Sequence, residues 1–218
     1  MMSKFCSAAV TVLCVVFSFH NCYADLIVTG PPGDFTTAGP TTNNTYGYTF
    51  RVGASDVSLT QLGYFDDFGD GLAASHEVGL WTAGGDLLRS STVPSGAVSP
   101  LEEFYRMVDV NPITLSANET YVIGAQVFGD RYLQNSTVPI NGISSLVSSI
   151  GNGIGGGLGR IGLGAGLNFP SGTSASNRYG LNANATITAI PEPSSLFLLA
   201  SVGAIVGVRR FRGAKCNR

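Results

Sequence analysis

Turn chemistry interrupts this chain so often between residues 46 and 128 that no long helix has room to form. Gly53-Ala54-Ser55-Asp56, Gly69-Asp70-Gly71, Ala83-Gly84-Gly85-Asp86, Pro94-Ser95-Gly96 and Ser116-Ala117-Asn118 punctuate it. Clusters of glycine, proline, asparagine, aspartate and serine favour turns over continued helix. Between them lie short runs rich in β-branched and aromatic residues, at 46–52, 59–65, 76–81, 87–93, 104–108 and 120–128. The step from Trp81 to Leu87 across Gly84-Gly85 reads as a hairpin, and 186–190 as a last strand. Strands of this length and spacing, with no capped amphipathic helix among them, predict an all-β fold, an antiparallel β-sandwich of jelly-roll-like type.

The two ends of the chain have a different texture. Lys4 precedes an apolar stretch through Phe19, and Cys22-Tyr23-Ala24 offers small residues three and one positions before Asp25. Residues 1–24 therefore read as a signal peptide cut after Ala24, with the secretion translocon and a signal peptidase as partners. At the other end, Pro191-Glu192-Pro193-Ser194 leads into an uncharged apolar run at 196–208, followed by Arg209, Arg210 and Arg212, then Lys215 and Arg218. As a helix that run spans about 20 Å against roughly 30 Å of hydrocarbon, short for a permanent membrane crossing. Positive charge resists translocation, so the basic end is expected in the cytoplasm and the body outside. The two prolines keep the preceding backbone extended, holding Glu192 where a processing enzyme can reach it.

This order of Pro-Glu-Pro, apolar helix and basic end resembles the PEP-CTERM sorting signal of Gram-negative surface proteins. The resemblance implies recognition by an exosortase, transient anchoring in the inner membrane by a single transmembrane helix, delivery to the cell surface or extracellular matrix, and association with exopolysaccharide. Three parts follow: leader 1–24, ectodomain 25–190, sorting signal 191–218.

The body carries 13 acids against 6 arginines and no lysine, a net charge of −7 within a chain of −2. Nucleic-acid binding needs clustered basic residues, so an acidic body excludes that class. All four cysteines lie outside it, at Cys6, Cys14, Cys22 and Cys216, so no disulfide framework and no thiol nucleophile is available to it. Residues 151–166 hold nine glycines in sixteen, which predicts a flexible loop or a poorly packed hairpin. The dinucleotide-like glycine spacings there open no helix of a βαβ unit and carry no cofactor reading.

The densest polar cluster runs from Tyr64 to Trp81. Asp66, Asp70, Gly71 and Glu77 fall at calcium-loop spacing, but Phe68 stands where a carboxylate is needed. A looser Ca2+ site from Asp66, Asp67 and Asp70 is the metal candidate, against a solvated acidic turn. Exposed Tyr64 or Trp81 would stack on a sugar ring, against a core role for both. His76 is the one histidine of the body, which excludes a multi-histidine zinc site and leaves a hydrolase only this one base. No Gly-x-Ser-x-Gly elbow frames a serine, and adjacent Glu102 and Glu103 point to opposite faces of a strand. Asn43, Asn118, Asn135 and Asn184 sit in glycosylation sequons, incidental in an exosortase context. The segments 62–66, 69–72, 75–81 and 120–124 resemble the uncharacterised DUF4082-type β-sandwich ectodomain, which implies a sandwich and supplies no catalytic residue. The expectation is a non-enzymatic exported protein, with a calcium- or carbohydrate-binding module as the alternative and a His76 hydrolase behind it.

Overall fold

The computed structural model describes residues 23–29, 35–38, 43–136, 142–151, 160–173 and 180–190. The leader up to residue 22, residues 152–159 and the whole of 191–218, with its Pro-Glu-Pro motif, apolar run and basic end, lie outside the described residues.

The described chain is all-β. Its strands are β1 (Ala24–Leu26), β2 (Val28–Thr29), β3 (Phe35–Ala38), β4 (Asn44–Val52), β5 (Val57–Phe65), β6 (His76–Thr82), β7 (Leu87–Val93) and β8 (Leu101–Glu102). There follow β9 (Tyr105–Leu115), β10 (Thr120–Val127), β11 (Tyr132–Ser136), β12 (Gly142–Ile143), β13 (Val147–Ile150), β14 (Arg160–Gly162), β15 (Gly172–Thr173) and β16 (Ala183–Ala189), with one 3-10 turn at Gly180–Asn182. One sheet has the order β1-β16-β5-β9-β8 and the other β15-β14-β4-β10-β6-β7, with β13 also on β4; every pairing is antiparallel. The sheets face each other through β5 against β6, β7 against β9 and β10 against β16, a β-sandwich-like arrangement.

Alternation explains which residues enter the core. In β5, buried Val57 and Leu59 alternate with half-buried Ser58 and Thr60, the two-residue period of a strand with one face turned inward. Strand β10 is buried on both faces, and Tyr121, Ile123, Ala125 and Val127 are the side that joins the core between the sheets. Burying a large apolar side chain of this kind contributes about 1.5–3 kcal/mol. The expected hairpin forms: Trp81 pairs with Leu87, Thr82 N–H donates to Asp86 O at 2.9 Å, and Gly85 takes a φ of 101° that a side chain would resist.

Two expectations need correction. Strand β9 continues past residue 108 to Leu115 in spite of Pro112. Proline is tolerated there because β8 covers only Tyr105 and Arg106, leaving the rest of that side of β9 as a sheet edge. The second half of the glycine-rich segment is not a free loop. Its residues Arg160–Gly162 pair with Gly47, Tyr46 and Thr45 of β4, and the turn after them is fastened by Asn168, whose N–H donates to Thr45 Oγ1 at 2.9 Å. Glycines suit this place because Gly47, Gly124 and Gly79 stand side by side on β4, β10 and β6. A Cβ on Gly79 would sit 2.6 Å from the Trp81 ring and 3.0 Å from Leu167.

The sandwich has two distinct ends. At one, β4 turns into β5, β6 into β7 and β9 into β10, and Ala24 of β1 lies opposite Thr188 of β16. At the other lie the long connections after β5, β7 and β10.

Candidate functional site

The chemistry-bearing residues gather at the end with the long connections. Asp66 follows the last residue of β5 and faces the start of β9, because Phe65 pairs with Tyr105 and Tyr64 with Arg106. Its carboxylate is 3% exposed and accepts from Arg106 Nε at 2.8 Å, Gly71 N–H at 3.0 Å and Gly69 N–H at 3.1 Å. Arg106 spends its remaining donors on backbone: Nη1 on Ser99 O at 3.0 Å and Ala97 O at 3.4 Å, Nη2 on Gly69 O at 2.6 Å. One buried ion pair thus ties the connection after β5 to the connection after β7, and gives the backbone polar groups of both a partner.

Asp67 forms a second pair, with Arg131 Nε at 2.8 Å, and the Arg131 guanidinium lies 5.8 Å from the centre of the exposed Phe68 ring. Asp70 is exposed. The three carboxylates expected to share a calcium ion therefore do not converge as one. Two of them already carry an arginine, and among the described residues no group of three or more His, Cys, Asp or Glu is arranged to hold a metal. A metal at Asp66 would have to displace a guanidinium and two N–H donors at once.

His76 opens β6 and is fully buried. Its Nδ1 meets the Gln126 carbonyl at 2.8 Å and its Nε2 meets Asp130 Oδ2 at 2.8 Å. A carbonyl only accepts, so Nδ1 carries a proton, and the Nε2 contact needs another. Asp130 also accepts the N–H groups of Ala73 and Ala74, at 2.7 and 2.8 Å. The ring is sandwiched: Tyr64 stacks on it with centroids 3.6 Å apart and planes 5° from parallel, and Phe128 packs at 5.3 Å. An imidazole with both nitrogens engaged and no exposed edge has no lone pair to offer a substrate, so the hydrolase reading of His76 finds no general base here. It acts as a clamp that fastens the connection after β5 to the end of β10.

Neither expected stacking residue presents a free face. Tyr64 is fully buried against His76, and Trp81 is 3% exposed beneath Phe169, whose ring centre lies 6.1 Å away. Tyr64 and Tyr48 each bury a hydroxyl that has no hydrogen-bond partner among the described residues. Burial pushes both hydroxyls well above the ordinary tyrosine range, with the Asp130 carboxylate adding to the effect at Tyr64. Tyr105, which donates to Leu181 O at 2.9 Å, is raised by burial as well.

A family model described as a domain of unknown function (DUF4082) matches residues 30–181. This chain belongs to the DUF4082 family. No curated protein matches it. The match takes in both arginine pairs and the His76 clamp. It stops short of β1 and β16, yet β16 lies inside the first sheet, between β1 and β5. The folded unit is therefore larger than the matched span, and includes residues on both sides of it.

Sequence reasoning missed Arg106 and Asp130, and read Asn184 only as part of a sequon. Asn184 is fully buried and grips β2 from both sides: its Oδ1 accepts from Val28 N–H at 3.3 Å and its Nδ2 donates to Val28 O at 2.9 Å. No local pattern marks these residues, because their partners stand 40, 54 and 156 positions away.

Proposed function

We propose that this DUF4082 protein is a non-catalytic exported protein of the cell surface or extracellular matrix. A leader ending at Ala24 directs it to the translocon, and residues 191–218 hold it in the membrane and present Pro191-Glu192-Pro193 to an exosortase. In this reading the body is a jelly-roll-like sandwich that leads into a single membrane helix at 196–208. The sorting function rests on the tail chemistry, an extended acidic tripeptide ahead of an apolar run and an all-basic end.

One structural observation supports it most directly. Ala24 lies opposite Thr188, and Ile190 N–H donates to Asp56 O at 3.1 Å, so the body begins and ends at the same end of the sandwich. A body tethered first by its leader and then by its tail keeps that one end toward the membrane throughout. The connections after β5, β7 and β10 then face away from it. Engagement of both His76 ring nitrogens and of Asp66 and Asp67 favours a structural over a catalytic body.

Replacing Pro191, Glu192 and Pro193 with alanine and fractionating the cells tests the reading. The variant should stay in the inner membrane with its tail uncut. Processing and surface delivery equal to wild type would overturn the sorting role.

A further inference from the structure

The bond at which the leader is expected to be cut lies inside a strand of the folded body. Ala24, Asp25 and Leu26 form β1 and pair with Thr188, Ile187 and Thr186 of β16. The contact continues inward, with Ile27 N–H donating to Ala185 O at 3.0 Å, Asn184 holding Val28 on both sides, and Ser144 N–H donating to Ile27 O at 3.1 Å. Leu26, Ile27 and Val28 are 6%, 0% and 2% exposed. The first residues after the leader are core, with no slack between the cut and the sheet.

We infer that docking of β1 on β16 closes the leader-cleavage site, so that the leader is removed before the domain is complete and the fold then locks the new terminus in place. The inference rests on the proposed leader. Proteases take substrates as extended strands in their own cleft, adding the substrate backbone to an edge of the enzyme. In the folded body β1 is an edge strand held on one side by β16, and the burial of Leu26, Ile27 and Val28 keeps it from leaving the sheet to enter a protease cleft. Ala24 itself stays exposed at the end of β1 and Asp25 is half-buried. What the fold withholds from a peptidase is the chain just after the cut, since Leu26, Ile27 and Val28 are fixed in the core.

The order of events follows from the distance along the chain. Val28 and Asn184 are 156 residues apart, so β1 has no partner until nearly the whole body has been exported. Closing so long a loop is slow compared with local pairing. During that interval the bond between Ala24 and Asp25 is extended and unpaired. The peptidase adds water across this amide, leaving Ala24 as the carboxylate end of the leader and Asp25 as the new ammonium terminus. Docking then buries Leu26, Ile27 and Val28 beside the strand that leads into the tail.

The test uses the full-length precursor, dissolved in urea, refolded in detergent micelles and treated with purified signal peptidase. The fluorescence of Trp81, the one tryptophan, reports whether the body has folded. The refolded precursor should be cut at least tenfold more slowly than the same precursor diluted from urea straight into the enzyme. A second precursor carries a flexible ten-residue glycine-serine spacer between Asp25 and Leu26, which moves the intact cleavage site off the sheet. Once refolded, it should be cut as fast as the unfolded chain. Equal rates for refolded and unfolded wild type, or a refolded spacer precursor that stays resistant, would overturn the inference. If even the unfolded precursor is not cut after Ala24, the leader reading itself falls and takes the inference with it.

Discussion

Replacing Arg106 with methionine should destabilise the domain more than removal of any exposed charge. Methionine keeps much of the arginine stem's volume and removes every donor. Asp66 would then hold a carboxylate at 3% exposure with only the N–H groups of Gly69 and Gly71 for company. The carbonyls of Ser99 and Gly69 would lose their guanidinium donors as well. Breaking a buried pair by removing one partner costs about 3–5 kcal/mol, because the surviving charge stays buried without compensation. At roughly 2–4 °C per kcal/mol for a domain of this size, the melting temperature should fall by about 6–20 °C.

Urea unfolding followed through Trp81 gives the number. That residue sits in β6, on the other sheet from Arg106, so it reports unfolding of the body and not local loosening at the pair. The double variant Asp66→Asn with Arg106→Met isolates the interaction, and a coupling of about 2 kcal/mol or more is expected between the two positions. Arg106→Lys should recover less than half of the loss. A single ammonium cannot reach acceptors that a planar fork with five N–H groups spans. A loss below about 1 kcal/mol for Arg106→Met would refute the reasoning, since that is the value of a solvent-screened surface pair.

The buried tyrosines give two further expectations. Tyr48→Phe and Tyr64→Phe each remove a hydroxyl without a partner while keeping the ring, so stability in urea should be unchanged or raised by about 1 kcal/mol; a clear loss at either position would mean that its hydroxyl is satisfied in solution. The three raised tyrosines also set an alkaline limit. Above the ordinary tyrosine value the unfolded chain releases these protons and the folded chain keeps them, so stability falls as pH rises, by up to about 4 kcal/mol per pH unit for three groups. Tyr48→Phe should reduce that slope by about a third, and a flat urea stability across the tyrosine range would contradict the raised values.

What was legible in the sequence was whatever is decided within a few residues. The hairpin across Gly84-Gly85 and the strand Leu87–Val93 follow from turn chemistry and alternation, both local. The site was not legible, because its meaning depends on partners that local rules cannot see. Asp66, Asp67 and Asp70 look like ligands when read as neighbours along the chain. Arg106 arrives from β9 by strand pairing and Arg131 from the far side of β10, and between them they convert two candidate metal ligands into ion pairs. His76 changes meaning in the same way once Asp130, Gln126 and Tyr64 surround it. β1 was hidden for another reason. Three residues at the edge of an expected leader carry no strand period of their own, and they form a strand because β16 supplies the pairing and the core receives Leu26. The same dependence that hides β1 from sequence reasoning is what lets its docking act as a late step: a strand with no local reason to form must wait for its partner.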